Sequence, residues 1–423
     1  MIRGVSGTCL VLLLVGPPLL AVAERSGEGI RVNVITRSKQ AFPGAVFDGA
    51  SAIVVWESPE AGILGRRLAL DSAGDHSSEM VLVPSLPASE SPGRRHLTAP
   101  REPALASDGQ GGLYLLWTRE RTVRASIPFL GRRKIIDRDV LCGHFGSDGT
   151  PLGPAKQVHS NGIGWQDQPR VERLADGSLF VLWHSDDRDK AASRNDGLFG
   201  RVLDADCSPR GQAFLVSDPL AGRNAVHAAL AAAADRMAVA WEQRDNEGTG
   251  VFRRFFDLAG APLDAPARLD DTTGGRAGTP SIAHRSGVGY LVLWRGESEE
   301  GRRTRIYGRL LSEQGEPTGD EITVSEGEGE REMNPSVVAV SGAFFAIWVR
   351  LDRRLPAALQ GVELDASGTP IGVAEAINTF EPGEPQRAFL VSDGRHRLLA
   401  AWEGYFERQR SPGISAQFVT IEP

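Results

Sequence analysis

The chain lacks the short motifs from which enzyme chemistry is usually predicted. No Gly-x-Ser-x-Gly elbow, His-Glu-x-x-His metal motif or phosphate-binding loop occurs. Its only lysines are Lys39, Lys134, Lys156 and Lys190. The arginines form no tight cluster and the formal net charge is −7, whereas phosphate binding needs a concentrated basic face. These absences argue against a nucleic-acid partner and leave no motif that indicates an enzyme.

A membrane-spanning run is also absent. The N-terminal segment has about 15 apolar residues, interrupted by Pro17 and Pro18, short of the ~20 that a spanning helix needs. It has instead the features of a secretory signal: Arg3, an apolar run, and Ala-Val-Ala at residues 21–23 as a cleavage site. We expect residues 1–23 to be removed and residues 24–423 to form a secreted or periplasmic protein.

A repeat runs through the remaining chain. Seven apolar runs end in tryptophan at spacings of 53 to 66 residues, at Trp56, Trp117, Trp183, Trp241, Trp294, Trp348 and Trp402. Each of these runs is preceded by a short apolar segment and a Gly-containing turn, and it is followed by two further short segments. Runs of β-forming residues bounded by Gly, Pro, Asp and Ser are typical of strands. The unit therefore predicts four antiparallel strands, which is one blade of a β-propeller.

The Trp-ending runs predict how the blades pack. Residues 53–56 and 344–348 are apolar at every position. A strand in a sheet with one solvent-exposed face would instead alternate polar and apolar residues. The last repeat lacks a fourth strand, and residues 30–35 fit that gap. We predict an all-β, seven-bladed propeller closed by residues 30–35 beside residues 414–421. The alternative, two β-sandwich domains, needs a central linker, and none is visible.

Three segments contain glycine followed directly by arginine, or glycine two residues before proline: residues 198–204, 306–317 and 360–370. With the Trp-ending runs, they resemble Trp-containing β-propeller repeats of large secreted bacterial proteins. The resemblance covers nearly the whole mature chain. It implies an extracellular propeller and transfers no catalytic residue.

One irregular sector predicts a ligand site. The seven repeat tryptophans are expected to pack between blades, but Trp165 lies outside the repeat position. Three long expected loops, residues 84–102, 118–139 and 184–196, border blades two and three, and long loops in compact repeats are often functional. The alternative is sequence drift without function. The predicted ligand-binding residues are Trp165, Gln166, Asp167, Arg119, Arg121 and His184.

The same sector contains a weak metal candidate. Asp186, Asp187 and Asp189 provide oxygen ligands suited to calcium, but their spacing matches no known calcium loop, and a solvated charged loop is the favoured interpretation. We expect no other cofactor. The arginines beside them could bind a carboxylate or sulfated sugar, and an apolar patch at residues 127–130 could equally dock a protein.

Two cysteines remain after signal removal, Cys142 and Cys207. Aligning the repeats places them eight positions apart along adjacent strands, about 26 Å at ~3.3 Å per residue. A disulfide requires Cα atoms within ~7 Å. We therefore expect no bridge between them.

The leading functional prediction is an exported, monomeric, non-enzymatic propeller that binds a glycan or an envelope protein near blades two and three. One alternative is a cell-envelope hydrolase or lyase with an axial pocket, which would need His227, His284 or a channel carboxylate. Another is a structural spacer without a ligand.

Overall fold

The computed structural model describes residues 24–421 apart from 26–28, 35–38, 50, 71–76, 86–99, 128–130, 161–163, 187–196, 218–224, 272–275, 298–302, 326–330, 342, 354, 379–384 and 406–410. The expected signal peptide, residues 1–23, lies outside them. Every regular element in these ranges is a β-strand, so the all-β prediction is confirmed. They include no helix long and apolar enough to cross a membrane.

The strands form four-stranded antiparallel units in chain order, preceded by two short N-terminal strands. The N-terminal strands and units 1 to 3 are β1 (Glu24–Arg25) and β2 (Ile30–Arg31); β3 (Ala41–Asp48), β4 (Ser51–Ser58), β5 (Gly62–Ala69) and β6 (Met80–Pro84); β7 (Pro100–Ser107), β8 (Leu113–Ile127), β9 (Gly131–Phe145) and β10 (Lys156–Gln157); β11 (Trp165–Arg173), β12 (Leu179–Asp186), β13 (Gly197–Leu203) and β14 (Pro209–Leu215).

The remaining units follow the same order. Units 4 to 7 are β15 (Val226–Ala232), β16 (Arg236–Asp245), β17 (Gly248–Asp257) and β18 (Ala267–Arg268); β19 (Ala277–Arg285), β20 (Gly289–Glu297), β21 (Thr304–Leu311) and β22 (Ile322–Thr323); β23 (Arg331–Val340), β24 (Ala343–Leu351), β25 (Ala358–Leu364) and β26 (Pro370–Ala376); β27 (Pro385–Ser392), β28 (Arg397–Gly404) and β29 (Gly413–Thr420).

The first strand of each unit lies beside the first strand of the next, and β27 contacts β3. We call these seven the inner strands. In unit 7 the fourth position beside β29 is taken by the N-terminus: Ile30 pairs with Ala416, and Val32 N–H donates to the Ile414 carbonyl at 2.9 Å. Packed four-stranded antiparallel sheets of this kind form a β-propeller.

The core lies between units. All seven repeat tryptophans are buried, with Trp56 and Trp241 at 0% exposure. Trp241 of unit 4 packs with Phe180 and Leu182 of unit 3. Both faces of the Trp-ending strands are thus covered, which explains why these strands do not alternate. Packing between units is the role expected for these tryptophans.

Two of the expected loops are strands in the parts that the structure describes. Residues 118–127 and 131–139 extend the β8–β9 hairpin, in which Arg119 pairs with Asp139 and Arg121 with Asp137. Opposite charges facing each other across strands stabilise such a hairpin without apolar alternation, so the sequence pattern did not reveal it. His184, the first residue of the expected loop 184–196, lies inside β12, and Trp165 begins β11.

Cys142 and Cys207 form a disulfide with Cα atoms 5.8 Å apart, so the prediction of no bridge is wrong. That prediction placed equivalent strands of neighbouring units in register. In the structure, the turn between the third and fourth strands of a unit packs against the preceding unit. Gly149 of unit 2, for example, lies against Met80 of unit 1.

Cys207 occupies this turn in unit 3. Its φ is 63°, a left-handed conformation that favours glycine. The same position in units 2, 4, 5 and 6 is a glycine at φ between 81° and 92°: Gly149, Gly260, Gly315 and Gly368. The cysteine therefore replaces the turn glycine and reaches Cys142 on β9 of the preceding unit.

Candidate functional site

Each inner strand carries a β-bulge near its first residues. In six of them a residue other than glycine has φ between 50° and 54°: Phe42, Glu102, Gln168, His227, Thr279 and Asn334. This conformation costs roughly 1–3 kcal/mol per residue. Bulges re-aim side chains and are common beside active sites. All six lie at the same end of the inner strands, and we call this ring the axial mouth.

Side chains of the preceding unit hold the strained backbone. Five bulge residues donate their N–H to such a side chain: Phe42 to Glu403 at 3.5 Å, Glu102 to Glu57 at 3.1 Å, Gln168 to Glu102 at 3.0 Å, His227 to Gln168 at 3.3 Å and Thr279 to Glu242 at 3.1 Å. Glu57, Glu242 and Glu403 each directly follow a repeat tryptophan. The mouth is therefore built by contacts between units, which offset the cost of the strained residues.

One histidine–carboxylate dyad lies in this ring. His227 Nδ1 is 3.0 Å from Glu242 Oε2, which also accepts the Thr279 N–H. Burial alone would raise the pKa of Glu242, but the hydrogen bonds from His227 and Thr279 hold it below its ordinary range. An ionised Glu242 favours a proton on Nδ1 and leaves Nε2 as an acceptor. The His227 side chain is 50% exposed and that of Glu242 13%, so the imidazole is accessible while its partner is shielded.

The second predicted channel histidine lies elsewhere. His284 is near the last residue of inner strand β19, at the opposite end from the mouth. Its Nε2 is 2.8 Å from Glu313 Oε2, and its ring packs against Tyr290 at 4.6 Å between centroids. The two histidine–glutamate pairs therefore occupy opposite ends of the inner strands.

A half-buried carboxylate lies deeper along the same strands. Glu172 of β11 pairs with Phe180, three residues before Trp183. The residues at the equivalent register in the other inner strands are all apolar: Val46, Ala106, Ala231, Ala283, Val338 and Val391. Burial alone raises the pKa of Glu172 to about 7. Glu172 is therefore the one charged residue at this register of the seven inner strands.

The predicted ligand residues next to the mouth form a polar network. The Asp167 carboxylate lies 2.7 Å from Arg138 Nη1 and 3.0 Å from His184 Nδ1. Arg138 also stacks on the Trp165 ring, with its guanidinium carbon 4.2 Å from the ring centroid. Burial opposes ionisation of Asp167, yet its hydrogen bonds from His184 and Arg138 keep its pKa below the ordinary range. Gln166 is buried and faces Ser185 at 3.5 Å.

Arg119 and Arg121 are engaged within their own hairpin. Arg119 contacts Asp139 at 3.0 Å, and Arg121 contacts Asp137 at 2.8 Å and Asp139 at 3.1 Å. Both aspartates are fully buried. These internal pairs occupy the guanidinium groups that were predicted to bind a ligand. The binding role of this sector stays a prediction.

The structure describes only part of the weak metal candidate. Asp186 ends β12, whereas Asp187 and Asp189 lie outside the described residues. Within the described ranges, no group of three or more His, Cys, Asp and Glu side chains is placed to hold a metal ion. Calcium binding by residues 184–196 stays a prediction.

Sequence reasoning missed the axial mouth as a unit. Five of its six strained residues precede a proline, and His227 precedes Ala228. That recurrence was visible, but nothing local predicts a positive φ for these residues, since left-handed backbone is uncommon outside glycine. The side chains that hold them belong to neighbouring units.

No protein-family model and no curated protein matches the sequence. Among solved structures, a protein of unknown function from Dyadobacter fermentans shares 12% identity at a TM-score of 0.52, covering 95% of this chain and 99% of its own. An α-L-arabinanase from Penicillium chrysogenum shares 14% identity at 0.49, covering 93% and 99%. The intramolecular trans-sialidase from Ruminococcus gnavus shares 11% at 0.45, covering 92% and 97%. At these identities the likeness concerns the fold alone.

The prediction of a non-enzymatic binding or scaffold protein is not upheld: solved structures that share this fold include glycan-cleaving enzymes, so the fold does not exclude catalysis. That prediction depended on the absence of known catalytic motifs. A propeller site is assembled from residues on separate units, so the absence of a short motif does not exclude an enzyme.

Proposed function

We propose that the chain is an exported, seven-bladed propeller whose blades are units 1 to 7, with the ring closed by the N-terminal strand in unit 7. The contact between β27 and β3 supports closure, as does the pairing of Ile30 with Ala416. The Cys142–Cys207 disulfide supports export after residue 23, because disulfides persist in oxidising compartments. The relation to Trp-containing propeller repeats belongs to this proposal too.

The same proposal assigns the protein a function as a glycan hydrolase with its site at the axial mouth. The observation that carries it is the His227–Glu242 dyad, in which a shielded carboxylate orients an accessible imidazole. The ring around it includes two amides, of which the Gln168 oxygen accepts the His227 N–H and the Asn334 nitrogen donates to the Gln386 carbonyl. The proposal assigns the Gln168 nitrogen and the Asn334 oxygen to sugar hydroxyls. Phe389, 38% exposed on β27, offers an apolar face. A few polar groups beside an apolar surface are typical of small-molecule sites.

The dyad assigns a role to each partner. His227 Nε2 takes a proton from a water molecule as the water oxygen attacks the substrate carbon. Glu242 accepts the Nδ1–H and stabilises the imidazolium that forms. The carbon–oxygen bond to the leaving group breaks on the opposite face of the sugar, and the leaving oxygen takes a proton from solvent. The imidazolium then releases its proton to solvent, so proton and bond counts balance.

The test is a hydrolysis screen over neutral and acidic glycans with wild type and His227→Asn. Asparagine keeps a hydrogen-bonding side chain but cannot act as the base, and general bases contribute about 10²- to 10⁴-fold. We expect a loss in that range. His284→Asn is the matched control, since it disrupts the His–Glu pair at the opposite end of the inner strands, and it should retain activity. Equal activity of wild type and His227→Asn would refute the assignment.

A further inference from the structure

Three glutamates hold equivalent positions at the axial mouth, each directly after a repeat tryptophan. All three accept the N–H of the strained residue in the next unit, and they are Glu57, Glu242 and Glu403. Their charged partners differ. Glu57 lies 3.6 Å from Arg101 Nε, and Glu403 lies 3.6 Å from Lys39 Nζ. Glu242 instead lies 3.0 Å from Nδ1 of His227, an imidazole of its own unit.

The residue that faces Glu242 from the next unit is a glycine. Gly278 is buried on β19, directly before the strained Thr279. A Cβ at this position would lie 2.6 Å from Glu242 Cδ and closer still to Oε2, well inside the ~3.5 Å of an ordinary carbon contact. The equivalent positions of units 1 to 4 and 6 carry side chains: Ala41, Arg101, Asp167, Val226 and Met333. Among these six units, unit 5 alone leaves this space empty for a carboxylate of the preceding unit.

Space, and not backbone conformation, explains this glycine. Gly278 does not adopt the left-handed φ at which glycine is favoured. An alanine would therefore fit the backbone but displace the Glu242 carboxylate. The displaced group is the end of a flexible side chain, so the fold can accommodate the change. Gly278 thus affects where the carboxylate lies without deciding whether the protein folds.

The imidazole of the dyad is held from the other side by unit 3. Gln168 Oε1 accepts the His227 N–H at 3.3 Å, and the Gln168 N–H donates to Glu102 Oε2 at 3.0 Å. The φ of His227 is 53°, a conformation that residues other than glycine rarely adopt. The contact from Gln168 therefore fixes the direction in which the His227 side chain leaves its strand.

We infer that Gly278 and Gln168 are positioning residues for the His227–Glu242 dyad. Gly278 provides the space in which the Glu242 carboxylate reaches His227 Nδ1, and Gln168 fixes the backbone from which the imidazole extends. This inference rests on the proposed function, because it names the residues that orient its catalytic pair. Arg295, opposite Gly278 on β20, also lowers the pKa of Glu242, so the carboxylate stays ionised when its contact with His227 is lost.

The test reads the protonation of His227 without substrate. An ionised Glu242 selects the tautomer with its proton on Nδ1. Nitrogen-15 NMR of histidine-labelled protein at alkaline pH distinguishes this form from the Nε2–H form, and His227→Asn identifies the signal by its loss. Wild type should show the Nδ1–H form. Gly278→Ala and Gln168→Met should lose this preference while remaining folded.

Two control variants separate positioning from a general disturbance. Gly361→Ala places a Cβ 2.6 Å from Ile377 Cδ1 in unit 6, a matched overlap away from the dyad, and should keep the wild-type signal. Gln168→Glu keeps an oxygen that can accept the His227 N–H, so it should retain the Nδ1–H form. In the hydrolysis assay, Gly278→Ala should lower kcat about 100-fold with little change in KM, since a small misplacement of a catalytic group can cost that much.

The outcomes separate this inference from the proposed function. A wild-type protein in the Nε2–H form, or a folded Gly278→Ala variant with an unchanged signal, would overturn the inference. Should Gly278→Ala not fold, the comparison of Gln168→Met with Gln168→Glu decides in the same way. If the tautomer responds as expected but no glycan is cleaved, only the proposed hydrolase function fails. If glycans are cleaved through His227 while neither variant changes the tautomer, only the inference fails.

Discussion

Glu172 makes the stability of this propeller depend on pH in a direction that can be calculated. The ordinary glutamate pKa of 4.5 is raised to about 7 by burial. The folded protein therefore binds the Glu172 proton more tightly than the unfolded chain does. The difference of 2.5 between these pKa values corresponds to about 3 kcal/mol.

The sign follows from the proton count. Below pH 4.5 Glu172 is protonated in both the folded and the unfolded state, so its ionisation does not lower the stability of the fold. Between pH 4.5 and about 7 the unfolded chain releases the proton first, so stability falls as pH rises. Above about pH 7 the loss of stability has reached its full value and no longer changes with pH. The change Glu172→Gln removes the titrating group, so the variant should gain about 3 kcal/mol over wild type between pH 4.5 and pH 8.

The assay is denaturant unfolding followed by tryptophan fluorescence at several pH values. The quantity compared is the stability of wild type minus that of Glu172→Gln, which cancels the contributions of other titrating groups. Glu60→Gln, at an exposed turn, is the control and should show a difference independent of pH. A flat difference for Glu172→Gln across this range would show that Glu172 does not lie in an apolar channel.

Two further predictions concern the packing between units. Loss of the disulfide, which closes a loop of 65 residues, should lower the free energy of unfolding by about 4 kcal/mol. Two variants that both lack it should differ, because glycine suits the left-handed turn at position 207. Cys142→Ala with Cys207→Gly should be more stable than Cys142→Ala with Cys207→Ser by about 1 kcal/mol. Differential scanning calorimetry checks both, and a more stable serine variant would contradict the assignment of that turn. Trp241→Ala should cost roughly 3–5 kcal/mol, whereas Trp165→Ala, at a half-buried strand end, should cost much less by the same assay; similar losses would place Trp165 in the core.

Regular features of the fold could be predicted from the sequence because they repeat locally. Each apolar run before a repeat tryptophan became the second strand of a unit, as in β4 and β20. The β8–β9 extension could not be predicted in the same way, since its Arg–Asp pairs carry no apolar period. The disulfide was missed because the geometry between units, and not the register within one, brings Cys207 to Cys142.

The site shows the same limit. His227 was identified from the sequence, since it lies in an inner strand. Its partner Glu242 follows Trp241 in the next strand, and only the bulge at Val226–Ala229 brings the two together. Phe42 and Glu403, whose hydrogen bond helps to build the mouth, are separated by most of the chain. Contacts of this range depend on the arrangement of units around the axis, which no local pattern encodes.

The location of the bound glycan tests the central claim most directly. A crystal structure of His227→Asn with an oligosaccharide identified in the hydrolysis screen should show the sugar in the axial mouth. Its scissile bond should lie beside residue 227, on the side of Glu242. Sugar bound instead over Trp165, or on the outer strands, with the mouth empty would contradict the account.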